Sequence, residues 1–273
     1  MTDLHAAAKR CLEATDPAEK LRLTHATWQA WLAGELRADP VSPPPEPIAA
    51  PGRPAKPQLV NARQVPQRGL GSAEGRAALV HAVAHIEFNA INLAWDAVYR
   101  YRGKPDAYYR DWASCANDEA RHFAMLAGRL AELGHAYGDF DAHDGLWAMA
   151  EKTASHDTAR MALVPRVLEA RGLDVTPGMI ERLRHLGDTR TVAILEVILR
   201  EEVAHVAAGT RWYHDCCERD GLDPVATFFE LLRDYMGVSL RGPFNRPARR
   251  EAGFVEEELD RLTVLALESR ATL

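Results

Sequence analysis

Residues 118–122 read Asp118-Glu119-Ala120-Arg121-His122, and residues 201–205 read Glu201-Glu202-Val203-Ala204-His205. Each stretch sets a Glu and a His three positions apart, behind a further acid. Positions i and i+3 share a helix face, so one helix aims a carboxylate and an imidazole at the same point. A lone Glu-x-x-His carries little weight: with 21 Glu and 11 His in 273 residues, about one such tetrad arises by chance. The doubling is what matters. Glu87 precedes Glu119 by 31 intervening residues, and Glu169 precedes Glu202 by 32. One Glu and one Glu-x-x-His, supplied twice by four inward-facing helices, is the ligand recipe of carboxylate-bridged dimetal bundles.

The expected metal ligands are therefore Glu87, Glu119, His122, Glu169, Glu202 and His205. Two divalent ions and four carboxylates balance to formal neutrality, which lets a core hold groups that cost several kcal/mol each when charged and unpaired. The flanking residues support burial. Val80, Val83, Ile91 and Ala94 share the stripe of Glu87; Trp112, Cys115, Leu126 and Leu130 share that of Glu119; Leu195, Ile198, Leu199 and Val206 share that of Glu202. In each case a charge interrupts an apolar helical face. Glu169, beside Ala162, Pro165 and Leu173, has the least uniform surroundings. The plainer alternative is surface Glu with His nearby. A third tetrad, Glu132-Leu133-Gly134-His135, ends on a helix-stopping glycine with no partner Glu at the right distance, and reads as coincidence. The acids before the ligands, Asp118 and Glu201, are expected to take the free N–H of His205 and His122 respectively, since metal-bound imidazoles usually donate to a carboxylate or carbonyl; solvated acids are the alternative.

Composition sets bounds. Hydrophobic content of 47% and charged content of 26% are those of a soluble globular protein. A net charge of −6 argues against a general nucleic-acid surface. No run of 18 apolar residues and no basic-then-apolar leader is present, so a cytoplasmic location without membrane partners is expected. Cys11, Cys115, Cys216 and Cys217 form no C-x-x-C, which is reduced-compartment usage and removes a built-in rubredoxin-type iron site.

The pattern predicts an all-α chain in four parts: an N-terminal helical segment (1–38), a Pro-rich arm (39–70), a dimetal bundle (71–219) and C-terminal accessory helices with a basic loop (220–273). In the first part Trp28, Trp31 and Leu32 are expected to pack. Residues 39–57 carry 8 of the 16 prolines and read as a linker or wrapping arm in extended form. The four main helices are expected at about 73–102, 107–133, 146–171 and 188–219, with Pro165 kinking the third just before Glu169. Shorter helices are expected near 177–186, 224–235 and 254–270, and the segment 237–253 reads as irregular and basic. The long connection between the second and third main helices fits a bundle with a crossover.

These motifs resemble the ferritin-like superfamily over about residues 71–219, a likeness that implies a four-helix bundle with a long crossover. The texts HAVAHIEFNAINLAWDAVYRY (81–101), PGRPAKPQLV (51–60) and PFNRPARREAGF (243–254) are similar to a bacterial ferritin-like family known only as a domain of unknown function, and that likeness spans nearly the whole chain. More distantly the bundle resembles the non-haem diiron hydroxylases that modify tRNA. The resemblance implies metal ligation at the same six residues. The missing rubredoxin module departs from rubrerythrins and argues against a self-contained peroxidase.

Hard carboxylates with imidazoles suit iron or manganese over a thiolate-selected metal. The expected function is an O₂- or peroxide-activating oxidase or oxygenase holding two divalent ions, with iron favoured. It would use an external electron donor and a small-molecule or RNA substrate, as a monomer or homodimer, with no side chain as nucleophile. Iron handling as ferroxidase or store, tRNA hydroxylation, and a binding protein with a structural metal are the alternatives. His81, His85, Asn89, Asn92 and Asp96 form a second polar stripe on the first main helix, expected as a buried or solvated helix–helix seam, with an interface as the alternative. His156 and Arg160 read either as a site-mouth pair or as a surface pair. Arg241, Arg246, Arg249 and Arg250 are expected to anchor the tail through salt bridges, with anion binding as the alternative.

Overall fold

Asp3 starts the first helix: its carboxylate accepts hydrogen bonds from the His5 and Ala6 amides at 3.1 and 3.2 Å, satisfying donors that a helix N-terminus leaves open. Helix α1 (Leu4–Glu13) repeats buried apolar residues at Leu4, Ala7, Ala8, Cys11 and Leu12, the spacing of one helical face. The computed structural model describes residues 2–39, 42–237 and 240–271. Pro40 and Val41 of the expected arm, and Val238 and Ser239 of the expected basic segment, lie outside the described residues. Regular structure among the described residues is helical, apart from a parallel pair of two-residue strands, β1 (Thr2–Asp3) and β2 (Leu36–Arg37), and one bridge between Leu59 and Ala142. The chain forms two compact units, Met1–Glu151 with Asp188–Ile194, and Lys152–Gly187 with Leu195–Leu273.

In the first unit, α2 (Pro17–Leu32) corrects the expected packing residues. Lys20, Thr24 and Thr27 are buried, whereas Trp28 and Trp31 are half-buried and Leu32 is 54% exposed. The polar residues win because each has a partner. The Lys20 ammonium donates to the Cys11 and Leu12 carbonyls at 2.7 and 3.0 Å and to Asn92 Oδ1 at 2.7 Å, so it caps the C-terminal end of α1, where a cation is favoured. Burial pushes its pKa down to about 7. Thr24 accepts from Trp95 Nε1 at 2.9 Å. The Pro-rich segment is a wrapping arm: the Gly52 amide donates to the Leu12 carbonyl at 2.8 Å, and a Cβ at position 52 would stand 2.2 Å from the Glu13 carbonyl oxygen.

The centre of this unit is the pair α3 (Ala73–Arg100) and α4 (Asp106–Glu132). Ser72 caps α3 by accepting from the Gly75 amide at 2.9 Å; Gly103 at φ +69 and Pro105 separate the two helices; Gly134 at φ +79 ends the second. Length and composition would let α3 cross a membrane, yet it is buried within the unit from Val80 to Tyr99 at nearly every position. Its second polar stripe is buried; Asn92 meets Lys20 of α2 as a helix–helix seam would, whereas the two histidines meet the loop after α4. His81 Nε2 accepts from the Gly138 amide at 2.9 Å, His85 bonds Tyr137 Oη at 2.9 Å and the His143 carbonyl at 3.1 Å, and Asp96 takes Arg100 at 2.7 Å.

The expected third helix is three pieces: α5 (Gly145–Lys152), α6 (Asp157–Leu163) and α7 (Ala170–His185), with a π-helical turn at Val164–Glu169 joining the last two. His156 caps α6, its Nδ1 accepting from the Ala159 amide at 3.2 Å, which explains the break. Arg160 is no surface residue; it is buried and donates to Thr153 Oγ1 at 2.9 Å. The wider π turn absorbs Pro165, which lacks an amide to donate. The helix expected at 177–186 is the second half of α7, which passes through Pro177 because Leu173, Thr176, Ile180 and Leu183 keep one buried stripe.

In the second unit, α8 (Thr189–Asp220) contributes its residues from Leu195 onward, followed by α9 (Pro224–Met236), the short α10 (Arg246–Glu251) inside the segment expected to be irregular, and α11 (Glu256–Ala271). Its core holds a fully buried ion pair. Arg166 donates to Glu258 at 2.7 Å while its guanidinium lies 4.4 to 4.7 Å from the ring centres of Phe228, Phe254 and Tyr213. Three of the four basic residues anchor the tail through ion pairs: Arg249 pairs twice with Asp174, at 2.8 and 2.9 Å, Arg246 with Glu256 and Asp260 at 2.6 and 2.8 Å, and Arg250 with Glu256.

Candidate functional site

Glu87, in the middle of α3, is 4% exposed; Glu119 and His122, one turn apart on α4, are 1% and 0% exposed. The i, i+3 spacing brings His122 Nδ1 to 3.3 Å from Glu119 Oε2, and the packing of α3 on α4 brings it to 3.2 Å from Glu87 Oε2. Each of the three residues offers a ligand atom within 4.8 Å of the others. Phe88 and Phe123, the residues after Glu87 and His122, pack with ring centres 5.3 Å apart, and both rings also meet Tyr137. The sequence reading thus placed three of its six residues in one buried cluster of the first unit. It missed Cys115, one turn before Glu119, whose Sγ lies 3.9 Å from Glu119 Oε1; its place on the apolar stripe marked it as core, and nothing in the spacing separates core from ligand sphere.

In the second unit Glu202 and His205 stand together on α8, with His205 Nδ1 3.3 Å from Glu202 Oε1, 8% and 5% exposed. Glu169 is the last residue of the π turn and is 9% exposed. Among the described residues of this unit, no three-ligand group as tight as that of Glu87, Glu119 and His122 includes Glu169. Asp118 takes Arg121 at 3.1 Å and Glu201 lies 3.8 Å from Arg200; both acids are partly exposed. The third tetrad is as unremarkable as expected: Glu132 pairs with Arg129 and Arg190, and His135 lies 3.6 Å from Asp139.

Two buried carboxylates side by side disfavour charge. Burial, and then the neighbouring Glu119 charge, lift the Glu87 carboxyl well above the usual carboxylate range. Burial also opposes a charge on His122, but its hydrogen bonds to Glu119 and Glu87 outweigh that and hold its pKa up at about 11. Glu87 gaining a proton and His122 keeping one answer the same need for positive charge. A divalent ion meets that need more fully, and oxygen and nitrogen donors buried together fit a hard or borderline cation.

The sequence matches the family described as "Protein of unknown function (DUF455)" over residues 13–260. An uncharacterized protein of Haemophilus influenzae is 44% identical over 260 residues, covering 91% of this chain and 90% of the relative. No solved structure matches. With nearly its whole length matched, the chain belongs to the DUF455 family of proteins of unknown function.

Proposed function

We propose that this protein is a ferritin-like dimetal carboxylate protein that activates O₂ or peroxide as an oxidase or oxygenase. The ligand-bearing helices would be α3, α4, the run from α6 to α7, and α8, with Glu87, Glu119, His122, Glu169, Glu202 and His205 holding two divalent ions, iron favoured and manganese the alternative. The observation that carries the reading is the buried Glu87–Glu119–His122 cluster, whose Glu-x-x-His spacing recurs in the buried Glu202–His205 pair. When bound and reduced, such a metal pair supplies electrons for activating O₂, and an external donor must restore them, since the chain has no rubredoxin-type cysteines.

The residues of the chain have distinct tasks in this proposal. Helical spacing fixes each carboxylate–imidazole pair before any metal arrives, and that preorganisation lowers the cost of assembly. Asp118 and Glu201 are proposed to orient the imidazoles, and the four free cysteines suit a reducing cytoplasm.

Stepwise addition of Fe²⁺ in air, with the mass of the assembly followed alongside, tests the reading. Saturation at about two irons per chain in a small assembly supports it. Retention of many irons per chain in a large shell would replace it with iron storage, and no retained iron would leave a binding protein.

A further inference from the structure

A cavity of about 220 Å³ lies within the second unit: Arg166, Arg171, Arg241 and Arg249 line it, with Asp174 as its acid. Phe228, Phe244 and Leu262 supply apolar wall. Charge in this pocket is not balanced. Arg166 is matched by Glu258 at 2.7 Å. Arg249 occupies both oxygens of Asp174, leaving Arg171 a 3.7 Å contact with the same carboxylate and a 2.6 Å hydrogen bond to the Arg241 carbonyl. Among the described residues the Arg241 guanidinium has no ion pair. Four guanidiniums thus face two carboxylates.

A second observation points the same way. Arg166 is fully buried, and its Nη1 has no hydrogen-bond partner among the described residues. A buried charged donor left unmade costs more than a neutral one, so a site that supplies an acceptor oxygen gains from it. A doubly negative group would meet the excess of two positive charges, and guanidinium forks suit phosphate oxygens. The volume is below the roughly 300 Å³ at which clefts for drug-sized ligands begin, so the body attached to the anion is small.

We infer that this pocket binds a phosphate monoester with a small apolar body, the phosphate among Arg166, Arg171 and Arg241 and the body against Phe228, Phe244 and Leu262. The site is independent of the metal reading. Isothermal titration of the full-length chain with phenyl phosphate, inorganic phosphate and benzoate tests it, alongside the Arg171→Gln/Arg241→Gln double variant, which leaves the Arg166–Glu258 and Arg249–Asp174 pairs in place. The expected result is saturable binding of one phenyl phosphate per chain, at least tenfold weaker binding of inorganic phosphate and of benzoate, and at least a tenfold loss in the double variant at an unchanged melting temperature. Should the double variant melt lower, Arg241→Gln alone, at an exposed position, reads the same loss. Absence of saturable binding, undiminished binding in the arginine variants, or benzoate binding as tightly as phenyl phosphate would each overturn the inference.

Discussion

Pro165 and Gly209 meet so closely that a Cβ on Gly209 would stand 2.3 Å from the Cβ of Pro165. Pro165 lies one turn before Glu169 in the π turn, and Gly209 lies one turn after His205 on α8. The glycine lets the proline ring seat against the helix that carries Glu202 and His205, and so sets how that helix packs on the segment that carries Glu169. Gly209→Ala is expected to destabilise the protein by about 1–3 kcal/mol, the usual cost of overpacking. Pro165→Gly, which removes both the Cβ and the ring, should recover much of that loss in the double variant, since residues in contact couple. Urea denaturation of the four proteins measures the coupling, and strictly additive losses would contradict the contact.

Acid should loosen the first unit through its polar seam. Burial pushes His81 and His85 from 6.5 down to about 4. A base whose folded pKa lies below its unfolded value holds fewer protons when folded, so the stability it permits is intact above 6.5 and lost as pH falls toward 4. His85→Gln removes one such group. Its stability should therefore fall less steeply between those values, by up to about 1.4 kcal/mol per pH unit. Denaturation midpoints at several pH values check this, and parallel curves for the two proteins would refute it.

Lys20→Met should cost about 1–3 kcal/mol, because it strands the Cys11 carbonyl and the Asn92 amide oxygen in a buried place and leaves the Leu12 carbonyl to the Gly52 amide alone. Hydrogen exchange should rise first in the last turn of α1, where those carbonyls lie. Equal exchange there in both proteins would show that the ammonium does not cap that helix.

The limits of α3 and α4 were legible to within two residues, because long apolar periodicity ends there on Gly103, Pro105 and Gly134. The Glu87, Glu119 and His122 cluster was legible for the same reason: helical spacing alone puts Glu119 beside His122. The segment from α5 to α7 was not. A proline reads as a kink whether a π turn absorbs it, as at Pro165, or a buried stripe carries the helix through it, as at Pro177. Tertiary partners decide between these outcomes, and they are remote in sequence. Lys20 and Arg166 were missed similarly, since a charged residue in a helix reads as solvated until the carbonyls, carboxylate and rings that receive it are known.

Metal should carry much of the stability at neutral pH. With chelator the protein is expected to melt about 10 °C lower, the shift that roughly 4 kcal/mol of ligand stabilisation gives a chain of this size. The gap should narrow as pH falls, because His122 and the carboxylates must give up protons to bind a cation, and acid returns those protons. Melting curves with and without chelator from pH 8 to pH 5 check the trend; a constant gap would contradict it.

The central claim is most directly tested by counting metal in the purified protein. Chain made in iron-fed cells, or reconstituted under reducing conditions, is analysed by mass spectrometry for metal beside Glu119→Ala and His205→Ala. The account predicts about two ions per wild-type chain and the loss of at least one in each variant. A wild type that holds zinc alone or no metal, or variants that retain both ions, would contradict it.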